Sequence, residues 1–240
     1  GVKHEVELIK ADTNEFLSIP DAVSTIEKLV KVDKVNFLVG GCRSEAALAQ
    51  QEVMAEHRVI WANAGGLAAP VVTERVAKDY NKYKYFFKFD PAVYVGRVTA
   101  GLVNVVASKI REELGVKTPR VALIMEKAKW VDPSVELAQA LLPKWGMEIV
   151  GLWRPSPMTN DLTAELTGVK AARAHIIYEI VSGSNGAVIG KQWGELKIPA
   201  GQIGANVEAE GALHWEATGG NCNYGTTATT IANCEMSKMT

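Results

Sequence analysis

The stretch Val35-Asn36-Phe37-Leu38-Val39-Gly40-Gly41-Cys42-Arg43-Ser44-Glu45-Ala46-Ala47-Leu48-Ala49 decides the fold class. A short apolar run stops at paired glycines, and a helical pattern opens at Ser44. The run reads as a buried strand, and the glycines as a tight turn from strand to helix. Ser44 reads as the N-cap, with its hydroxyl and the neighbouring backbone N–H groups facing outward at the positive helix end. A turn of this kind can hold an anion such as a carboxylate. The same order returns at once in Arg58-Val59-Ile60-Trp61-Ala62-Asn63-Ala64-Gly65-Gly66. Two such turns at neighbouring strand ends would make a receptor for a small ligand.

Outward from this pair, strand candidates recur at 5–10, 35–39, 59–62, 85–89, 120–125, 148–153, 175–181 and 202–205. Helical patterns fill most of the gaps. Residues 21–31 carry Val23, Ile26 and Val30 on one face, with Pro20 near the start. Val98, Leu102, Val105, Ile110 and Leu114 mark a long helix that ends at Gly115. Asp132-Pro133 reads as an N-cap followed by a proline in the first turn, and Asp161 reads as the cap of a further helix. Strand alternating with helix predicts an α/β fold with mostly parallel sheets and right-handed crossovers. Asp90-Pro91 interrupts the pattern and marks a crossing between two lobes. Beyond Gly211 the periodicity fades into Gly, Thr, Asn and Cys, and residues 218–234 read as irregular.

Composition narrows the function. The 240 residues suffice for one large domain or two small ones, and 48% hydrophobic content is ordinary for a globular chain. A net charge of −1 with dispersed lysines and arginines argues against nucleic acid as a partner. No apolar run reaches the roughly 20 residues that span a bilayer. The three cysteines, Cys42, Cys222 and Cys234, form no disulfide framework, and the four histidines are scattered without zinc-ligand spacing. No metal or other cofactor is implied.

Together these units resemble the type I periplasmic binding proteins, and most closely the branched-chain amino-acid receptors of ABC transporters. The resemblance runs from about Glu5 to Tyr224. Val39-Gly40-Gly41-Cys42-Arg43-Ser44 resembles the family's strand-Gly-x-x-x-Ser turn, and 58–66 its second, small-residue turn. Residues 85–91 resemble the Phe-rich strand that crosses to the second lobe. Residues 120–139 resemble its strand, acidic residue, aromatic and helix, and 159–166 its Thr-Asp helix start. The fold implied is two Rossmann-like lobes with parallel sheets joined by a hinge, the first lobe incomplete in this chain. Lobe one would be 1–89, lobe two 90–203, and 204–240 a return towards lobe one.

The resemblance implies a ligand between the lobes. Ser44 would donate to its carboxylate, and Arg43 would add a charge-assisted bond. Ala64, Gly65 and Gly66 would bind through backbone groups, because small residues permit close approach. Trp130 matches the aromatic residue that flanks the ligand from lobe two. Glu179, where the family usually has glycine, would pair with an ammonium group. Asn206 and Glu208 follow the last strand and are further candidates. The structural alternatives are a plain cap at Ser44, a solvated cation at Arg43, simple turn chemistry at the glycines, a core indole at Trp130 and a surface ion pair at Glu179.

The function implied is extracytoplasmic capture of an amino acid or similar small polar solute, with an ABC transporter permease as partner. Contact with a membrane would run through that permease or a lost anchor. A sensing domain of the same fold is the alternative. An enzyme reading also exists: Asn63-Ala64-Gly65 and the Tyr-x-x-x-Lys of Tyr80 to Lys84 resemble short-chain dehydrogenase motifs, in which the tyrosine is a general acid. The two motifs lie too close together, and no glycine fingerprint opens the first strand–helix unit, so no enzyme is expected. An extracytoplasmic setting would allow a Cys222 to Cys234 disulfide with Cys42 free; three free thiols are the competing expectation.

Overall fold

The computed structural model describes residues 5–65, 68–89 and 93–228. The chain forms two compact units, Gly1–Ala92 and Val93–Thr240. The first contains α1 (Ile19–Lys31), β1 (Phe37–Val39), α2 (Ser44–His57), β2 (Ile60–Asn63), α3 (Ala69–Lys78), α4 (Tyr80–Tyr83) and β3 (Phe86–Lys88). Its three strands are parallel in the order β1-β2-β3, with Leu38 opposite Trp61 and Trp61 opposite Phe86. Those three side chains point to one face. There they pack on Ile26 and Val30 of α1, Ala47 and Met54 of α2, and Val72 of α3. Trp61 and Phe86 meet edge to face at 5.0 Å between ring centres. On the other face Phe37, Val39, Phe87 and Phe89 are exposed. The strand predicted at 5–10 is not formed: every residue there is exposed, and no strand of the first sheet pairs with it.

The second unit contains α5 (Val93–Leu114), β4 (Arg120–Met125), α6 (Asp132–Leu141), β5 (Glu148–Trp153), α7 (Thr163–Ala171), β6 (Ile176–Val181), α8 (Asn185–Glu195), β7 (Gly201–Asn206), α9 (His214–Ala217) and β8 (Gly225–Thr227). Its sheet runs β5-β4-β6-β7-β8, and every pairing is parallel. Parallel strands joined by helical crossovers are covered on both sides and so read as unbroken apolar runs. All six residues of β6 are buried, its one acidic member, Glu179, included. Val121, Leu123, Met125, Ile176, Tyr178 and Ile180 join Ala100, Val103 and Ala107 of α5 and Val135 and Ala138 of α6 in one core. Ala122, Ile124, Ile177 and Val181 join Leu166 and Val169 of α7 and Ile189 of α8 in another. Asp161 accepts from the Thr163 N–H at 2.9 Å and from its hydroxyl at 2.6 Å, which anchors the start of α7.

One placement differs from the lobe boundaries read from sequence. The described part of the 204–240 segment adds to the second sheet. β8 lies beside β7, with Gln202 opposite Gly225 and Gly204 opposite Thr227. The Thr227 hydroxyl fixes this edge, accepting from the Asn206 N–H at 2.8 Å. A three-residue strand amid glycines carries no periodic signal, so sequence reading leaves it irregular. Gly66 and the pairing of Cys222 with Cys234 lie outside the described residues.

Candidate functional site

In the first unit the turn at Gly40 and Gly41 is formed, and the described part of the second, Ala64 and Gly65, interlocks with it. Gly40 and Gly41 have φ of +120° and +85°, which glycine adopts without strain. A side chain at Gly41 would meet the Trp61 ring at 2.7 Å, and one at Gly65 would meet the Gly41 carbonyl oxygen at 2.0 Å. The indole N–H of Trp61 donates to the Gly40 carbonyl at 2.9 Å. The Asn63 amide donates to the carbonyls of Gly40 at 3.0 Å and Gly41 at 2.6 Å. Ala64 is exposed and Gly65 half-buried beside this turn.

The cap differs from expectation by one residue. Arg43 holds the N-cap position in extended backbone with no side-chain cap bond, and Ser44 is the first helical residue. Ser44 is fully buried, and its hydroxyl oxygen accepts from the Ala68 N–H at 2.9 Å. The serine thus faces inward and ties the second turn to the first. The guanidinium of Arg43 donates to the Glu15 carbonyl at 3.2 Å and to that of Phe16, and its Nε lies 3.5 Å from Glu45. The anion-holding group of the turn is itself engaged: the Cys42 N–H and thiol each donate to Glu15 Oε1 at 2.8 Å. Partial burial of the sulfur, then the bond to Glu15 and its charge, push the Cys42 thiol up to about 12. Glu15 escapes sequence reading because its partner lies 27 residues away, beyond α1 and β1.

Among the described residues, the second unit holds two buried carboxyls. Glu126, just past β4, is fully buried. It accepts from the Trp130 indole N–H at 2.8 Å, the Ser182 N–H at 2.7 Å, the Ser182 hydroxyl at 2.5 Å and the Asn185 amide at 3.4 Å. Trp130 is half-buried against the α5/α6 core, and its only polar atom is committed to Glu126. A carboxylate ending an apolar strand four residues before a tryptophan is a signal for this arrangement. Arg154 closes the loop from outside, donating to the Glu126 carbonyl at 2.9 Å and to Asp132 at 2.7 Å.

Glu179 sits within β6 and is 2% exposed. Gln202 donates to its Oε2 at 2.7 Å and Asn206 to its Oε1 at 3.2 Å. The β6–β7 register sets Glu179 opposite Gly204, where a side chain would meet the Glu179 carbonyl oxygen at 1.8 Å. Glycine there lets the strands pass at this point. Burial pushes the Glu179 carboxyl up to about 7, against the two amide hydrogen bonds, which favour its ionised form. Glu179, Gln202 and Asn206 line a cavity of about 300 Å³, closed by His214, Trp215, Cys222, Thr226 and Thr227. Burial lowers the His214 pKa, and its Nδ1 is buried without a partner. Glu208 is exposed.

The fold therefore gathers Glu179 with Asn206 at one cavity, and Arg43, Ser44 and Gly65 at one pair of turns. Trp130 stands with Glu126 and Ser182. Among the described residues, no group of three His, Cys, Asp or Glu side chains could hold a metal ion. Among them also, no helix is long and apolar enough to cross a membrane.

A family model described as periplasmic binding protein matches residues 1–236. No curated protein matches the sequence. Among solved structures, the fold is similar to an ABC-transporter solute-binding protein from Rhodopseudomonas palustris BisB5 in complex with 3,4-dihydroxybenzoic acid. The TM-score is 0.66 at 17% identity, over 81% of this chain and 49% of that one. It is similar to a solute-binding protein from R. palustris in complex with 4-hydroxybenzoate, with TM-score 0.60 and 16% identity over 77% of this chain and 46% of that one. It is also similar to a protein from Silicibacter pomeroyi described as a putative branched-chain amino acid ABC transporter. There the TM-score is 0.61 at 19% identity, over 90% of this chain and 53% of that one. At these identities the likeness concerns the fold. The chain spans about half the length of these proteins.

Proposed function

Since the chain belongs to the periplasmic binding protein family, in its type I form, we propose that it serves outside the cytoplasm as the solute-binding component of an ABC transporter. It captures an amino acid or similar small polar solute and passes it to a membrane permease. The observation that carries this reading is Glu179, a buried carboxyl facing a cavity of about 300 Å³ together with Asn206. Such a volume is at the small end of the range for ligand pockets. The carboxyl has one amide donor on each oxygen, and among the described residues of the cavity wall there is no lysine or arginine, only His214, whose burial disfavours its charged form. An ammonium group entering the cavity supplies a cation and stabilises the ionised form. Binding of this kind needs no nucleophile or general base.

A second reading rests on Trp215 in the same wall. An aromatic acid could lay its ring against that indole while protonated Glu179 donates to its carboxylate. The structures from R. palustris with hydroxybenzoates belong to that ligand class.

One titration separates the two. Calorimetry with L-leucine and with sodium 4-hydroxybenzoate is run from pH 5.5 to 8.5. Amine binding needs ionised Glu179, so it strengthens as pH rises through about 7. Acid binding needs the protonated form and weakens over the same interval. Glu179→Gln should weaken leucine by about tenfold or more, the loss of a charge-assisted bond. If neither these ligands nor the other amino acids give heat, the solute-capture reading falls.

A further inference from the structure

We propose that the turn at 40–44 is a carboxylate site whose resident occupant is the chain's own Glu15, so that an external carboxylate enters only by exchange with it. This rests on the reading that the turn receives the acid end of a solute. Three observations support exchange. First, the Glu15 carboxylate already makes the bonds that a ligand acid would make. Its Oε1 takes the Cys42 N–H and thiol, each at 2.8 Å, ahead of the 14-residue helix α2, whose N-terminus favours negative charge.

Second, Glu15 is an imperfect occupant. The residue is 6% exposed, yet its Oε2 is buried with no hydrogen-bond partner. A carboxylate oxygen removed from water and left unpaired is destabilising, and release of Glu15 to solvent removes that penalty. Third, the glycines of the turn and Ser44 are held by partners other than Glu15. Trp61 and Asn63 hold the Gly40 and Gly41 carbonyls, and Ala68 bonds to Ser44, all from within the two strand–turn units. Glu15 instead belongs to the irregular segment before α1. The Arg43 guanidinium grips that segment at the carbonyls of Glu15 and Phe16. Those contacts can open without disturbing the sheet.

The test uses the full chain with Cys222→Ser and Cys234→Ser, comparing Glu15, Glu15→Gln and Glu15→Ala. Calorimetry with sodium benzoate and with L-leucine reads affinity, and iodoacetamide alkylation at pH 8 reads Cys42. With Glu15 removed, the thiol loses the neighbouring carboxylate and should alkylate several-fold faster. The Ala variant should bind the probe carboxylate about tenfold tighter or more, the size of a charge-assisted bond no longer contested, with Gln between. Equal alkylation in all three proteins overturns the proposal, because Glu15 then does not sit in the turn. Equal affinity in all three, beside faster alkylation, overturns exchange and leaves solute capture standing. Silence of both probes in all three removes the carboxylate reading of the turn, and the proposal with it. Should Glu15→Ala fail to fold, Glu15→Gln carries the same comparison, because its side chain keeps the volume and an acceptor oxygen.

Discussion

Glu126, just past the end of β4, and Glu179, within the neighbouring strand β6, are both buried, yet their surroundings differ in kind. Glu126 is saturated: a backbone N–H, a hydroxyl, an indole and an amide all donate to it. Glu179 has two amide donors and borders a cavity. Burial alone therefore does not identify a binding carboxylate. A group whose acceptor capacity is filled by its own fold holds structure together, whereas one with spare capacity beside open volume is available to a ligand.

The largest effect that can break this comparison is expected at Glu126. Glu126→Ala leaves the Ser182 N–H and the Trp130 indole without their acceptor, while the Asn185 amide keeps the Ser156 carbonyl. Each orphaned buried donor costs about 1–3 kcal/mol, so the loss should be about 3 kcal/mol or more. Urea unfolding followed by circular dichroism measures it. A loss below about 1 kcal/mol would mean that Glu126 is not the structural member of the pair.

At Glu179 the effect is carried by pH. Its carboxyl is pushed up from 4.5 to about 7 in the folded chain. Between these values the folded state keeps a proton that the unfolded state has released. Stability from this group is therefore fully present below pH 4.5 and is lost as pH rises through about 7. The whole change is on the order of 3 kcal/mol. Glu179→Gln removes the titration, so its unfolding free energy should lack this decline while the parent shows it. Parallel pH profiles for the two proteins would place Glu179 among saturated carboxylates like Glu126.

The parts of this picture that sequence made legible are those set by local pattern. The apolar runs at 121–125 and 176–181, the second interrupted only by Glu179, mark strands covered on both faces, and the paired glycines at Gly40 and Gly41 mark the turn. What surrounds the glutamates resists such reading because most of their partners are distant. Glu126 meets Ser182 across 56 positions, and Glu179 meets Asn206 through the β6–β7 register. Glu15 reaches Cys42 from a segment without periodicity, so no residue pattern announces it. At Ser44 the miss is a single position. Serine at the start of a helical run reads as a cap, but Ser44 has already joined the helix and turned its hydroxyl to Ala68.

The smallest expected effect sharpens the comparison at Trp130, which the family resemblance assigns to the ligand and whose N–H is committed to Glu126. Trp130→Phe keeps an aromatic ring and deletes the N–H. Glu126 retains donors on both oxygens through Ser182 and Asn185, so no acceptor is stranded. The cost should be a single hydrogen bond to a carboxyl group plus the lost half of the indole, about 2–3 kcal/mol in urea unfolding. If the ring served only to anchor Glu126, affinity for leucine or hydroxybenzoate should stay within about twofold, because the substitution touches neither Glu179 nor its cavity. A drop of tenfold or more in affinity with unchanged stability would reverse the assignment. It would make Trp130 a ligand contact and leave Glu126 to be held by Ser182 and Asn185, which is the one outcome in which the saturated carboxylate and the binding surface meet.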